Sequence, residues 1–213
     1  MQDFFAAVEA REHPWPAGRR DLHWHLLPPS VEQARKLLLD DFGELLRAPG
    51  LEAVPPRWLH TTVLHSGPRD SVTDQEIDAI VQEVREATAG EQPVELVFDR
   101  PTIGTVAISR PGRPGEAARR LWEATWRATQ RVVGDRWPLI PEVYHPHITI
   151  AYAGSAASAA DRAVLKAELS DTTGEAATLV FPALTLVEQW HTHHRIVWQP
   201  LATVPLGTPP AGL

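Results

Sequence analysis

His60-Thr61-Thr62-Val63 and His147-Ile148-Thr149-Ile150 repeat one pattern, a histidine followed two residues later by a threonine among apolar and β-branched neighbours. In a strand, residues i and i+2 share a face and lie roughly 6.5 Å apart along it. Each stretch therefore presents an imidazole and a hydroxyl side by side. Two such pairs turned toward each other place two proton-transfer groups and two hydrogen-bond donors around one point, which suits acid–base attack on a phosphodiester. An H-x-T is too short to carry weight alone; two copies in matching strand contexts, one in each half of the chain, carry it together.

Working outward from the two motifs, the chain reads as alternating strands and helices. Asp21 to Leu27 alternates like a strand and ends at Pro28-Pro29. Ser30 caps a helix expected over 31–47, with Gln33 placed for a capping box and Val31, Ala34, Leu37, Leu38, Phe42, Leu45 and Leu46 as its apolar face. Arg57 to Ser66 is the first motif strand. Thr73 with Glu76 opens a second helix whose stripe is Ile77, Ile80, Val81 and Val84, closed by Gly90. Strands are expected at Val94 to Phe98 and Ile103 to Ser109, then a loop over Arg110 to Gly115 and a third helix from Glu116 to Val133. The second motif strand spans Tyr144 to Ala153, with a short helix at Asp161 to Leu169. Ala177 to Glu188 and Arg195 to Thr203 form a terminal hairpin. This order is a coarse duplication, strand–helix–strand around each motif. Interleaved helices with hairpin-joined strands indicate an α+β class with antiparallel sheets. Residues 1–20 read as a loosely held arm, 21–205 as one bilobal domain with one H-x-T per lobe, and 206–213 as a flexible tail.

Composition narrows the function. The chain has 213 residues, 43% hydrophobic and 22% charged, as expected of a globular protein with a sizeable core. A net charge of −7 supplies no basic field for long nucleic acid. There are no cysteines, which excludes disulfides, thiolate metal sites and cysteine nucleophiles. Charges run through Met1 to Arg20 without an apolar centre, unlike a signal peptide, and no stretch approaches a membrane span. The expectation is a cytoplasmic monomer without membrane contact.

Trp58-Leu-His-Thr-Thr62 and Pro146-His-Ile-Thr-Ile-Ala151 are the residues by which the chain, over about Asp21 to Leu206, resembles the 2H phosphoesterases, and among them the bacterial 2′-5′ RNA ligase-like proteins. The resemblance implies a bilobal α+β fold, two antiparallel sheets with outer helices around a central groove holding both motifs. It also implies metal-independent hydrolysis, or reversible ligation, of 2′,3′-cyclic or 2′-5′ phosphodiesters in nucleotides or short RNA ends, with no cofactor. On it His60 and His147 are a general acid/base pair, in an order that depends on how the substrate lies, and Thr62 and Thr149 hold the phosphoryl oxygens. Some members carry an arginine five residues after the second histidine; here that position is Tyr152.

Four residues are candidate substrate contacts: Trp24 and His25 on the first strand, Trp58 before the first motif, and Tyr152. Strand parity places His65 on the face opposite His60. Arg57, Arg100, Arg110 and Arg113 are candidates for local positive charge, the last two as a gripping loop. Two alternatives stand beside the phosphodiesterase: a metallohydrolase built on His145, His147 and the His191–His194 tip, and a non-catalytic nucleotide or RNA-end binder. Metal ligands come from separated elements, which the local 191–194 turn does not provide, so no metal is expected.

Overall fold

In the computed structural model, which describes residues 1–207, the chain runs α1 (Phe4–Glu9), β1 (Asp21–Leu26), α2 (Val31–Leu38), β2 (Leu51–Ala53), β3 (Thr61–Pro68), α3 (Asp74–Ala87), β4 (Val94–Phe98), β5 (Thr102–Ile103), β6 (Ala107–Arg113), α4 (Glu116–Val133), β7 (His147–Ala153), α5 (Arg162–Asp171), β8 (Ala177–Phe181), β9 (Ala183–His191) and β10 (Ile196–Pro205). The class is α+β, with two antiparallel sheets. One has the order β10-β9-β1-β3; the other has β2-β7-β6-β4-β8, with β5 beside β6. Helices α3 and α4 pack on each other and on the first sheet, through β10 and β3 respectively, while α2 packs on β8 and α5 on β5 of the second. Buried side chains of both sheets join in one hydrophobic cluster. Strands β3 and β7 approach one another, and His65 and Ile140 form a two-way backbone bridge across that approach.

Local chemistry explains most element ends. Thr73 and Glu76 form a complete capping box on α3, and Ile77, Ile80, Val81 and Val84 are its buried stripe. Ser30 accepts from the Gln33 N–H at the start of α2. This helix stops at Leu38 rather than continuing to 47. The carboxylates of Asp40 and Asp41 would sit at its negative end, where the helix dipole opposes them. The apolar face continues instead through two 3₁₀ turns, Asp40–Phe42 and Leu45–Arg47, which bury Phe42, Leu45 and Leu46.

Four further differences from the sequence reading have physical causes. The segment read as one strand over 177–188 is split at Pro182: β8 joins the second sheet and β9 the first. The expected loop over 110–115 is mostly strand, because β6 runs through Pro111 and Gly112 to Arg113 and pairs with both β7 and β4. The arm is docked, with Phe5 and Val8 each 2% exposed. Of the tail, Leu206 is buried and bonded to the Pro182 carbonyl; residues 208–213 lie outside the described residues.

Candidate active site

His60 sits between the 3₁₀ turn Pro56–Trp58 and the start of β3, and His147 is the first residue of β7. The same device holds both rings. His60 Nδ1 donates to the Trp58 carbonyl at 2.8 Å, and His147 Nδ1 donates to the His145 carbonyl at 3.0 Å. A carbonyl only accepts, so in each ring the bonded nitrogen carries the proton and Nε2 is left for chemistry. Thr62 and Thr149 follow on their strands. All four side chains line one groove of about 720 Å³, within the ~300–1,000 Å³ of small-molecule sites. A second cavity of about 640 Å³, beside Trp122, Trp126 and Trp137, contains none of them.

The likeness of the two halves extends past the H-x-T. In the β1–β3 pairing His25 faces Thr62 while Trp24 faces Leu64, so Val63 is an extra residue on β3. In the β6–β7 pairing Ile108 faces Ala151 while Ser109 faces Thr149, so Ile150 is an extra residue on β7. A bulge reverses the alternation after it. Thr62 with His65, and Thr149 with Tyr152, therefore line the groove together, three residues apart in each half. His65 thus lies in the groove and not on the opposite face. A second irregularity, between Leu22 and His23, leaves Ser66 unpaired. At the adjoining Gly67, φ is +106°, and a Cβ would overlap the Trp137 ring.

A column of imidazoles backs this wall. On β1, Asp21, His23 and His25 share a face. His25 stacks on His60 with centroids 4.1 Å apart and planes at 19°, and His23 stacks on His65 at 4.5 Å and 15°. The buried Asp21 carboxylate accepts from His65 Nε2 at 2.9 Å and pairs with Arg19 at 2.9 Å. Desolvation above all drives the His60 pKa down to about 4. The Trp58 carbonyl offsets part of this, and the charge of His147 adds to it. His25 and His23 are held well below the ordinary histidine value, first by burial and then by neighbouring imidazoles. Burial pushes Tyr152 up to about 12, tempered by the Thr149 hydroxyl.

Three of the four expected substrate contacts lie elsewhere. Trp24 is fully buried in the core, because β1 turns Leu22, Trp24 and Leu26 away from Asp21, His23 and His25. His25 is fully buried and lies behind His60. Trp58 lines a side pocket shared with His60, Tyr152, Glu52 and His194 rather than the groove itself, packs edge-on to Trp198 at 5.1 Å, and carries the Arg57 guanidinium over its ring at 4.9 Å. Tyr152 lines the groove. The arginines are also otherwise engaged. Arg110 is fully buried and donates to the carbonyls of Asp99, Leu37, Leu38, Phe98 and Glu175. Arg113 pairs with Asp99, and Arg100 donates to the Leu169 and Thr172 carbonyls at the end of α5.

Among the described residues, two sets could bring three metal-binding atoms within 4.8 Å of one another: Glu9, His191 and His193, and Asp21, His23 and His65. Neither contains His145 or His147, so the cluster required by the metallohydrolase reading is not assembled. In the first set, the buried His191 already donates through Nε2 to the Trp15 carbonyl at 2.8 Å. In the second, Asp21 is bonded to His65 and Arg19.

A family model described as the 2′-5′ RNA ligase superfamily matches residues 18–193. Among solved structures, E. coli LigT complexed with 3′-AMP superposes with a TM-score of 0.63 at 16% identity, covering 89% of this chain and 99% of that one. The protein TT0787 of Thermus thermophilus gives 0.62 at 19%, covering 87% and 97%. A structure described as a phosphoesterase gives 0.60 at 15%, covering 89% and 99%. At these identities the likeness is one of fold. No curated protein matches significantly.

Proposed function

Since the chain belongs to the 2′-5′ RNA ligase superfamily, we propose that it is a metal-independent phosphodiesterase that hydrolyses, or in reverse ligates, 2′,3′-cyclic or 2′-5′ phosphodiesters of nucleotides or short RNA ends. The observation that carries this reading is that both H-x-T pairs line one groove, each imidazole held through Nδ1 with Nε2 left for chemistry. LigT, whose structures hold 3′-AMP, ATP and NADP⁺, supports a nucleotide as the ligand class.

His60 is the base. Desolvated and neutral, its Nε2 takes a proton from water as the oxygen attacks phosphorus. His147, exposed to solvent, is the acid, and its Nε2 gives a proton to the departing ribose oxygen as the phosphorus–oxygen bond breaks. Thr62 and Thr149 donate to the non-bridging oxygens, where negative charge grows. In the ligation direction the two histidines exchange roles. Either ring reloads by exchange with water, and the step consumes no cofactor.

A panel of 2′,3′-cyclic nucleotides and 2′-5′ dinucleotides, assayed in EDTA with products weighed by mass spectrometry, tests this. Turnover that survives EDTA and yields one phosphomonoester regioisomer is expected. Activity that disappears with chelator and returns with zinc contradicts it. Saturable nucleotide binding without turnover identifies a binder instead.

A further inference from the structure

The groove has a wall that the matched family region does not include. Residues 1–17 precede the matched span, which begins at 18, yet part of this arm lines the groove beside the H-x-T pairs. Asp3 caps α1 by accepting from the Phe5 and Ala6 N–H groups, Phe5 and Val8 are buried, and Phe4 packs on Tyr152 with centroids 4.4 Å apart. Beyond the helix the chain is tied down again. Trp15 N–H donates to the Val8 carbonyl at 3.1 Å, Trp15 Nε1 donates to the Arg19 carbonyl at 3.1 Å, and Gly18 N–H donates to the His191 carbonyl at 3.0 Å. Arg11 to Pro14 is therefore a short loop fixed at both ends, and it faces the groove.

Charge decides what this loop can hold. Two arginines line the groove, Arg11 and Arg19. Arg19 is committed, with Nε on Asp21 and Nη1 on the Pro14 carbonyl at 2.8 Å. Arg11 has no ion-pair partner among the described residues, although the exposed Glu12 is next to it in the chain. In a protein of net charge −7, a free guanidinium on the wall of a phosphodiester groove is a local anion ligand in an otherwise unfavourable field. Its planar fork matches phosphate oxygens in pairs. A groove of about 720 Å³ has room for a nucleotide with more than one phosphate.

We infer that Arg11 is a second phosphate ligand, brought to the groove by the N-terminal arm, so that the preferred ligand carries a phosphate beyond the one held between the H-x-T pairs. The inference rests on the phosphodiesterase reading for the position of the first phosphate. The second phosphate is either a 5′-terminal monoester or the next phosphodiester of a short chain.

Titration calorimetry on the full chain separates these cases without turnover. The probes are adenosine 2′-monophosphate, adenosine 2′,5′-bisphosphate and an adenylyl dinucleotide ending in a 2′-phosphate. The bisphosphate, the dinucleotide or both should bind about 10- to 100-fold tighter than the monophosphate, the range of one charge-assisted contact. Arg11→Ala should erase that gain and leave the monophosphate affinity within about twofold. Arg11→Lys should restore part of it, and Glu12→Gln should keep it. A gain confined to the bisphosphate assigns the monoester; one confined to the dinucleotide assigns the chain phosphate. No gain in the wild type, or a gain that persists in Arg11→Ala, overturns the inference. Hydrolysis is scored separately: an Arg11-dependent gain in a protein without turnover removes the phosphodiesterase reading and keeps the subsite, and turnover without the gain does the reverse.

Discussion

The pH dependence of kcat/KM follows from the desolvation of His60. The active form of this base is neutral. With a pKa near 4, about 90% of it is neutral at pH 5, whereas an ordinary imidazole titrating at about 6.5 would be only about 3% neutral there. On the base side, activity should therefore fall by less than about twofold between pH 7 and pH 5, where an unperturbed histidine would lose about 25-fold. Trp198 lets the cause be tested. Its ring stands edge-on to both His25 and His60, at 5.9 and 6.5 Å. Trp198→Ala admits water beside them, lessens the desolvation that holds the pKa down, and should move the acid limb from about 4 toward 6.5. The assay is steady-state hydrolysis of a 2′,3′-cyclic nucleotide from about pH 4 to 8 at constant ionic strength, which reads the free enzyme through kcat/KM. An acid limb at about 6.5 in the wild type, or one that Trp198→Ala leaves in place, would refute the reasoning.

Other consequences concern stability. Because His60 titrates lower folded than unfolded, the unfolded chain binds more protons between about pH 6.5 and 4. Its contribution is fully present above about 6.5 and is lost as pH falls to about 4, a change on the order of 3 kcal/mol. His23 and His25 are shifted in the same direction, so denaturant midpoints should drop steeply over that window, and a flat profile from about pH 7 to 4 would contradict the neutral column. Arg110→Met should cost about 3–5 kcal/mol in chemical denaturation, since it leaves five main-chain carbonyls without their donor; a neutral effect would mean that water replaces the guanidinium. Thr62→Val and Thr149→Val should each lower kcat about 10- to 1,000-fold, because each removes a donor aimed at developing charge; Thr62→Val should leave the melting temperature in place, whereas Thr149→Val also takes a hydroxyl from the buried Tyr152.

The motif residues are legible in the sequence while their neighbours stay obscure, for a geometric reason. His60 and Thr62, like His147 and Thr149, are close enough in the chain for local alternation to place them together. Strand parity assigns His65 to the wrong face because a bulge at Val63 changes the count, and no residue type announces that bulge. The helix α3, with its capping box and buried stripe, is written in local spacing and appears as read. Arg110 is misplaced by its own surroundings: Arg-Pro-Gly-Arg carries turn residues, although the tertiary structure continues the strand through them. Trp24 illustrates the opposite limit. Its alternation with His23 and His25 is visible, but with both faces of β1 covered, only the assembled sheet shows which one adjoins the groove. The docking of the arm depends on contacts of Phe4 and Trp15 with Tyr152 and His191, far along the chain.

Cooperation between the two H-x-T pairs is measured most directly by a double-mutant cycle on His60 and His147. In kcat/KM for a 2′,3′-cyclic nucleotide, with EDTA present, His60→Ala and His147→Ala should each lose about 10²- to 10⁴-fold. The double variant should be within about tenfold of the worse single one, because removing either proton carrier already disables the pair. Losses that multiply, or a single variant with near wild-type activity, would contradict the account.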